Sequence, residues 1–531
     1  MKKHNDLLIV LAAGMGTRMG RFNQVPKHLL PYSGKAVISH IIGDSFPSHT
    51  RVLVVVSRTD ELTESYLQLA FPDRDIEFVA TNNPHPGNPL FDLQAALKDL
   101  RHTGPVYVTV ADGVYTLPKT LNANCVFVGE RDVELDHHYT MVDVFGDDKF
   151  VSAVREKRAV SNKSVPWIGV ARFNSKAILA RAVNGVTADS TVCTFADLFK
   201  FMLKEETHLH AVHTPHWVDL GDEKLYKERA RPSDWEKPDR LTYFDGLTVI
   251  KYFADKTDAH NFWLKSTKLP VSSIPFTTHA GHFTSYKYID GTSAYENLSC
   301  RGLKNLLDNM QAQMWSTGAF HMEGKTLDRN NWSWVLEKLQ YRVEAFEGQY
   351  DLSGDGLTGI IVNGVVISKT WTELIENFKK FNHKFSLEYI HGDLTLDNMV
   401  VCPYIHPDDE EVTLIDWRPK TCFDEISLGD VYYDLGKLYL SLQIDLHELK
   451  TLGPTIVDHR EVVEIGFPTN SRLELMRTVF KNWCKLNQYD TRTIEAYSVL
   501  HMAAMTGCHQ GAFPRAFYFA SLAKAHALLK I

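Results

Sequence analysis

The chain has 531 residues, 44% hydrophobic and 23% charged, with a formal net charge of −8 at pH 7. That length exceeds one ordinary core, so two or more domains are expected. The acidic balance argues against a general nucleic-acid or anionic-membrane surface.

Seven scattered cysteines (Cys125, Cys193, Cys300, Cys402, Cys422, Cys484 and Cys508) show no C-x-x-C spacing. They read as reduced thiols of a cytoplasmic protein rather than a disulfide frame or a zinc site. Apolar runs such as 7–13 are too short to span a bilayer, and no secretory apolar region follows the opening Met-Lys-Lys, so no membrane insertion is expected.

In chain order, apolar strand-like runs at 7–11, 52–56, 76–79 and 106–110 alternate with helical patterns near 36–46, 60–70 and 89–101. This spacing predicts βαβ units and a mostly parallel sheet covered on both faces. Ligands of such sheets sit beyond the carboxyl ends of the strands, where Gly14–Arg18 and Asp112 both fall. Region 120–220 is less regular, with strand-like stretches at 139–144 and 167–173. The charged, proline-bearing segment 228–240 reads as a linker between domains at 1–227 and 241–531. After it, 241–253 predicts a hairpin turning at Asp245-Gly246. Helical patterns dominate from about 295, interrupted by 391–416, and the tail from about 470 reads as structural helices.

Two segments carry chemistry. The first is Leu11-Ala12-Ala13-Gly14-Met15-Gly16-Thr17-Arg18, followed by Pro26-Lys27. Glycines after a buried strand let backbone N–H groups approach a phosphate closely. A P-loop would need Gly-Lys-Ser/Thr, and the dinucleotide fingerprint would need glycine where Met19 stands.

The pattern resembles the sugar-phosphate and phosphocholine nucleotidyltransferase family over residues 5–225. That resemblance implies a Rossmann-like (GT-A type) α/β domain with a mixed, mostly parallel sheet. It further implies that Leu11, Ala12, Ala13 and Gly14 hold base and ribose, that Gly16, Thr17 and Arg18 clasp the β- and γ-phosphates, and that Lys27 bridges the α-phosphate and the incoming phosphate. Asp112, in Val-Ala-Asp-Gly, matches the metal-binding aspartate, and Asp219, in His-Trp-Val-Asp-Leu-Gly, the second metal ligand, for Mg2+. An anionic phosphate attacking an anionic α-phosphate requires such positive charge and no general base. Asn82, Asn83 and Asn88 stand where the phosphocholine branch has an Asn-rich acceptor loop; turn formation and N-capping explain them as well. His208, His210, His213 and His216 alternate through a strand, fitting a solvated face better than a metal cluster.

The second segment is His391-Gly392-Asp393-x-x-x-x-Asn398, with Asp416 closing the strand-like run 412–415. The spacing is that of a kinase catalytic loop with glycine in place of arginine. In that role Asp393 accepts the substrate hydroxyl proton while Asn398 and Asp416 hold magnesium against the ATP phosphates. The segment resembles the aminoglycoside phosphotransferase and choline kinase family over about 240–530, implying a protein-kinase-like α+β domain. By that resemblance Lys251 contacts the α/β-phosphates, 286–291 is the adenine hinge, and 429–438 follows the metal strand, orienting the loop or packing. Two departures stand out: no glycine-rich loop precedes Lys251, and no glutamate lies between Lys251 and Glu296 to pair with it. Trp417, Tyr432 and Tyr433 are aromatics that could cage a quaternary ammonium such as choline or simply pack as core.

The two resemblances together imply a bifunctional enzyme. ATP phosphorylates a small alcohol or sugar, and the phosphate is coupled to a second NTP, CTP favoured, releasing pyrophosphate and giving a precursor for surface polysaccharide or lipid modification. The alternative is a sugar-1-phosphate nucleotidyltransferase fused to a non-catalytic kinase-like binding module.

Overall fold

The computed structural model describes residues 6–14, 16–22, 25–83, 88–118, 123–146, 149–158, 163–188, 193–231, 239–269, 274–315, 324–350, 359–402, 410–420, 428–459, 461–507 and 511–531, without the side chains of Thr17, Arg18, Arg21 and 324–331. These residues form two compact units. One comprises 1–259 with 278–288, the other 260–277 with 289–531.

The first unit is built on strands β1 (Leu7–Leu11), β2 (Arg51–Ser57), β3 (Ile76–Thr81), β4 (Val106–Val110), β5 (Gly113–Thr116), β6 (Cys125–Val128), β7 (Thr140–Phe145), β8 (Phe150–Glu156), β9 (Ser164–Phe173), β10 (His210–His213) and β11 (His216–Asp219). Nine of them make one sheet in the order β3-β2-β1-β4-β9-β6-β10-β8-β7. β1 shows why both faces are covered. Leu8 and Val10 enter a core with Tyr66, Ile38 and Ile41 on one side, while Leu7, Ile9 and Leu11 enter a core with Leu93, Leu179 and Phe199 on the other. A strand apolar at every position is what a doubly covered sheet demands. Helix α1 (Leu62–Ala70) supplies the first core, and α2 (Pro89–Lys98), α3 (Lys176–Thr187) and α4 (Phe195–Lys204) the second. A capping box between Thr194 and Asp197 starts α4.

The mostly parallel sheet expected from the sequence is corrected. β3, β2, β1 and β4 pair in parallel, as do β6 and β10. β9 runs antiparallel to β4, β6 and β7, and β8 antiparallel to β7 and β10. The regular βαβ alternation that signals parallel pairing ends after β4, and so does most of the parallel order.

The predicted hairpin forms as β12 (Arg240–Asp245) and β13 (Thr248–Phe253), which pairs with β14 (Phe283–Lys287). These strands pack into the first unit, not into the second as the division at 241 implied. Tyr243, Ile250 and Phe283 join the core of α1. Tyr243 donates its hydroxyl to the Leu29 carbonyl at 2.8 Å, and its ring meets Tyr66 at 5.0 Å. Of the expected linker, 232–238 lies outside the described residues.

The second unit is helical around one core. Its elements include α5 (Lys256–Lys268, from residue 260 on), α6 (Gly324–Gln349), α7 (Val431–Ser441), α8 (Ser471–Leu486), α9 (Thr491–Ala504) and α10 (Phe513–Leu529), so the helical tail is as expected. Short strands β15 (Leu387–Tyr389) and β18 (Leu428–Asp430) pair, as do β16 (Met399–Cys402) and β17 (Glu411–Leu414). They frame the 391–416 segment. Among the described residues no helix is long and apolar enough to cross a membrane.

Candidate active sites

In the first unit, β1 delivers Leu11 and Ala12 buried at its carboxyl end, with Ala12 N–H donating to the Val55 carbonyl at 2.8 Å. The chain then turns through Gly14, which is exposed, and Gly16, whose φ of +60° suits glycine. Pro26 precedes a single helical turn over Lys27–Leu29. This turn brings Lys27 across Gly14: a Cβ built there would lie 3.9 Å from the Lys27 Cε. The Lys27 ammonium donates to Asp112 Oδ2 at 2.7 Å.

Asp112 follows β4, and Asp219 closes β11, which pairs antiparallel with β5 so that Asp219 is opposite Gly113. Leu220 N–H donates to the Asp112 carbonyl at 2.9 Å, locking the two segments together. Both aspartates line a cleft of about 150 Å³ with Tyr139, Trp167 and Trp217. Burial, and then the nearby Asp112 charge, push the Asp219 carboxyl above its ordinary range, against a hydrogen bond from Gly221 N–H at 2.8 Å. Two carboxylates held close in a partly dry cleft favour a cation between them.

Leu11–Gly14, Gly16, Lys27 and Asp112 therefore lie at the carboxyl end of the nine-stranded sheet, and Asp219 joins them from the separate two-stranded sheet of β5 and β11. The side chains of Thr17 and Arg18 lie outside the described residues. Asn83 donates to the Asn88 carbonyl at 2.9 Å, and Asn88 makes no side-chain cap to α2. The histidine strand packs His208 and His210 on the Phe150 ring. Among the described residues no group of three or more His, Cys, Asp or Glu is placed to hold a metal.

In the second unit, the turn after β15 is held by buried groups. Asp434 of α7 accepts from His391 N–H at 2.7 Å and Gly392 N–H at 2.8 Å. Gly392 has φ +85°, and a Cβ there would meet the Arg418 side chain at 3.0 Å. His391 donates from Nε2 to the Ile415 carbonyl at 3.0 Å and accepts at Nδ1 from Asp393 N–H at 3.2 Å. Those two roles fix a neutral tautomer, and burial lowers the imidazole to about 3. Asn398 donates its side-chain amide to the Asp393 carbonyl at 2.8 Å. Ile415 N–H donates to the Asn398 carbonyl at 2.9 Å, setting Asp416 beside Asn398. Asp416 adopts φ +60°, uncommon for a non-glycine residue and frequent at functional turns.

Asp393, Asn398 and Asp416 are thus brought together. Lys251 belongs to the first unit, buried on β13 opposite Thr242 and Thr284, with its ammonium 5.9 Å from the centre of the Tyr286 ring.

Two lysines escaped the sequence reading. Lys437 lies 3.0 Å from Asp393 Oδ1, and its charge, with that of Arg418, outweighs the desolvation that would raise the Asp393 carboxyl and holds it well below the ordinary range. Lys265, fully buried on α5, donates to the carbonyls of His391 at 3.0 Å and Arg418 at 3.2 Å. The i, i+4 spacing of Tyr433 and Lys437 was the only signal for the first; nothing in the pattern marked the second. The aromatics are core. Trp417 donates to the Phe262 carbonyl and stacks on its ring at 4.3 Å, Tyr432 accepts from Asp490 N–H, and Tyr433 already faces the Arg418 guanidinium at 6.0 Å.

Residues 8–128 match the family described as the MobA-like NTP transferase domain. Residues 246–451 match the phosphotransferase enzyme family. The chain joins a nucleotidyltransferase domain to a phosphotransferase-family domain. Both are transferases, acting on nucleotides and phosphate-bearing substrates. No curated protein matches the chain. Solved structures similar to it include a nucleoside-diphosphate-sugar pyrophosphorylase from Vibrio cholerae RC9, at 14% identity and TM-score 0.36 over 42% of this chain and 98% of that one. A CTP:phosphocholine cytidylyltransferase from Streptococcus pneumoniae matches at 16% identity and TM-score 0.35, covering 42% and 97%. An inositol-1-phosphate CTP transferase from T. maritima matches at 14% and 0.34, covering 41% and 90%.

Proposed function

We propose that the phosphotransferase half makes a phosphate monoester from ATP and a small alcohol or sugar, and that the nucleotidyltransferase half couples that monoester to a second NTP with release of pyrophosphate. The product would be an activated precursor for surface polysaccharide or lipid modification. The observation that carries the reading is the presence, in one chain, of the Lys27–Asp112–Asp219 cleft and the Asp393–Asn398–Asp416 turn. A phosphate monoester is the one intermediate both chemistries share.

In the first site Lys27 spans from the glycine turn to Asp112, where it would neutralise charge as a phosphate oxygen attacks the α-phosphorus. The nucleophile is already ionised, so no base is needed. In the second site Asp393, oriented by Lys437 and Asn398, would take the proton of the attacking hydroxyl. The donor sets, Asp112 with Asp219 and Asn398 with Asp416, are hard oxygen ligands too few to cage a cation alone. They suit Mg2+ that completes its shell with phosphate and water oxygens. Bound there, it would supply positive charge to the phosphates and orient them.

CTP is the nucleotide placed first, on the residues resembling the phosphocholine branch. The test is mass spectrometry of products from the full chain with ATP, all four NTPs, Mg2+ and an alcohol library. A nucleoside-diphospho-alcohol with pyrophosphate is expected. A phosphorylated alcohol that no NTP consumes would overturn the consecutive-step reading.

A further inference from the structure

α6 places Trp334, Lys338 and Arg342 at successive four-residue steps, hence on one face of the helix. α7 does the same with Tyr433 and Lys437. The two faces meet. The Trp334 and Tyr433 rings are 5.9 Å apart, the Lys338 ammonium lies 5.4 Å from the Trp334 ring, and Arg418 covers Tyr433. Lys437 reaches Asp393 at 3.0 Å. Arg342 is fixed by donation to the Ala504 carbonyl at 2.6 Å, with its stem against Gly507.

Lys437 and Arg418 thus act on the carboxylate that would take the acceptor's proton, and Lys338 lies within reach of both of them and of Arg342. Asp434, fully buried behind the turn, is engaged by the His391 and Gly392 amides. Lys338 makes no ion pair among the described residues, and burial with the charges of Arg418, Arg342 and Lys437 pushes its ammonium down to about 7. Clustered like charges are costly unless an anion joins them. Lys338, Arg342 and Lys437 all come from helices, not from the turn and strand end that carry Asn398 and Asp416.

We propose that this cluster is the acceptor subsite of the phosphotransferase half, and that the acceptor is an anionic alcohol bearing a carboxylate or phosphate on the same molecule as the attacking hydroxyl. The inference rests on the kinase reading of Asp393. The acceptor hydroxyl gives its proton to Asp393, its oxygen bonds to the γ-phosphorus, and the bond from that phosphorus to the β–γ bridging oxygen breaks. ADP leaves with that electron pair, and Asp393 releases the proton to solvent. Lys338 and Arg342 grip the acceptor's own anion, and their charge selects against choline-like cations.

The test measures ADP release by the full chain with Mg-ATP and matched acceptors. The set is glycerol, glycerate and glycerol 3-phosphate, then glucose, glucuronate and glucose 6-phosphate, with choline as the cation. An anionic member is expected to be the best acceptor, and the carboxylate and phosphate arms distinguish the two anions. Lys338→Gln and Arg342→Gln should each raise the KM for that acceptor about 10–100-fold, the range of a charge-assisted hydrogen bond, with the KM for ATP unmoved. Lys338→Arg should restore most of the loss. A neutral or cationic best acceptor overturns the inference while leaving the kinase reading intact, as does a shift in the KM for ATP instead. Turnover with no acceptor at all sinks the kinase reading, and the inference falls with it.

Discussion

Lys27 donates to Asp112 Oδ2 at 2.7 Å, so the lysine expected to stabilise the α-phosphate is already tethered to the aspartate expected to ligate the metal. The pair ties the glycine turn to the end of β4, and an incoming nucleotide and cation would redistribute this one ion pair. Lys27→Ala should lower kcat/KM for pyrophosphate release about 10²–10³-fold, the usual loss when one preorganised donor to a developing charge is removed. Phosphorylation of the alcohol by ATP should persist. Pyrophosphate release at the parent rate would remove Lys27 from the chemistry.

Asp112→Asn should abolish pyrophosphate release for a different reason. The amide keeps the shape but leaves Asp219 as the lone carboxylate of the cleft, and cation affinity falls. The Asp219 carboxyl should also drop toward its ordinary range, because the Asp112 charge is the second cause of its rise after burial. Mg2+ titration of pyrophosphate release by the two proteins checks this. Loss of ATP-dependent phosphorylation as well, in a folded variant, would contradict two independent sites.

Asp393→Asn should do the reverse, costing the ATP-dependent step about 10²–10⁴-fold, as loss of a general base typically does. Coupling of a pre-phosphorylated substrate to NTP should continue, and the two half-reactions assayed separately decide it. Unchanged phosphorylation would show that this loop is not where the proton goes.

Much of this was legible in the sequence because chemistry fixes both residue type and spacing. Gly14, Gly16, Lys27 and Asp112 follow strands whose apolar runs are unmistakable, and Asp393 and Asn398 keep the spacing of a catalytic loop. What was not legible depended on long-range contact. β9 is buried along nearly its whole length, a pattern that is the same whether it runs parallel or antiparallel, so the direction change after β4 carried no signal. The hairpin β12–β13 was read correctly as a hairpin, yet its partner core was set by Tyr243 and Phe283 meeting α1. Lys265 looks like any surface lysine until α5 buries it on the His391 carbonyl.

Acid should destabilise the fold through buried neutral histidines. Thr63 gives its hydroxyl proton to Asp60 and so accepts from His28 Nε2 at 2.6 Å. Burial lowers His28 to about 4, and His391 to about 3. Below about 6.5 the unfolded chain binds protons that the folded chain refuses, so this stability is present above pH 6.5 and lost as the pH falls toward 4. For His28 alone the loss is roughly 3 kcal/mol. His28→Gln, which keeps a donor but cannot charge, should flatten the pH dependence of denaturant unfolding across that window. An equally steep dependence in the variant would mean that other groups carry it.

The last prediction concerns two buried residues behind the His391–Asn398 turn. Asp434 and Lys265 are both fully buried. Burial pushes the carboxyl up to about 6 and the ammonium down to about 7, and each charge opposes the shift of the other. Asp434 also satisfies two backbone amides of the loop. Asp434→Ala leaves those two amides without their acceptor and removes the charge that favours the Lys265 ammonium, so the second unit should lose about 2–6 kcal/mol, at about 1–3 for each buried donor left unsatisfied. Asp434→Asn, which keeps an acceptor but no charge, should fall between parent and alanine. The readout is amide hydrogen exchange at His391 and Gly392 with the denaturant midpoint of the full chain. ATP-dependent phosphorylation should collapse while NTP coupling survives, because Asp434 acts on Asp393 only through the backbone that positions it. Protection of those two amides at parent levels in the alanine variant would show that the loop is held by something other than Asp434.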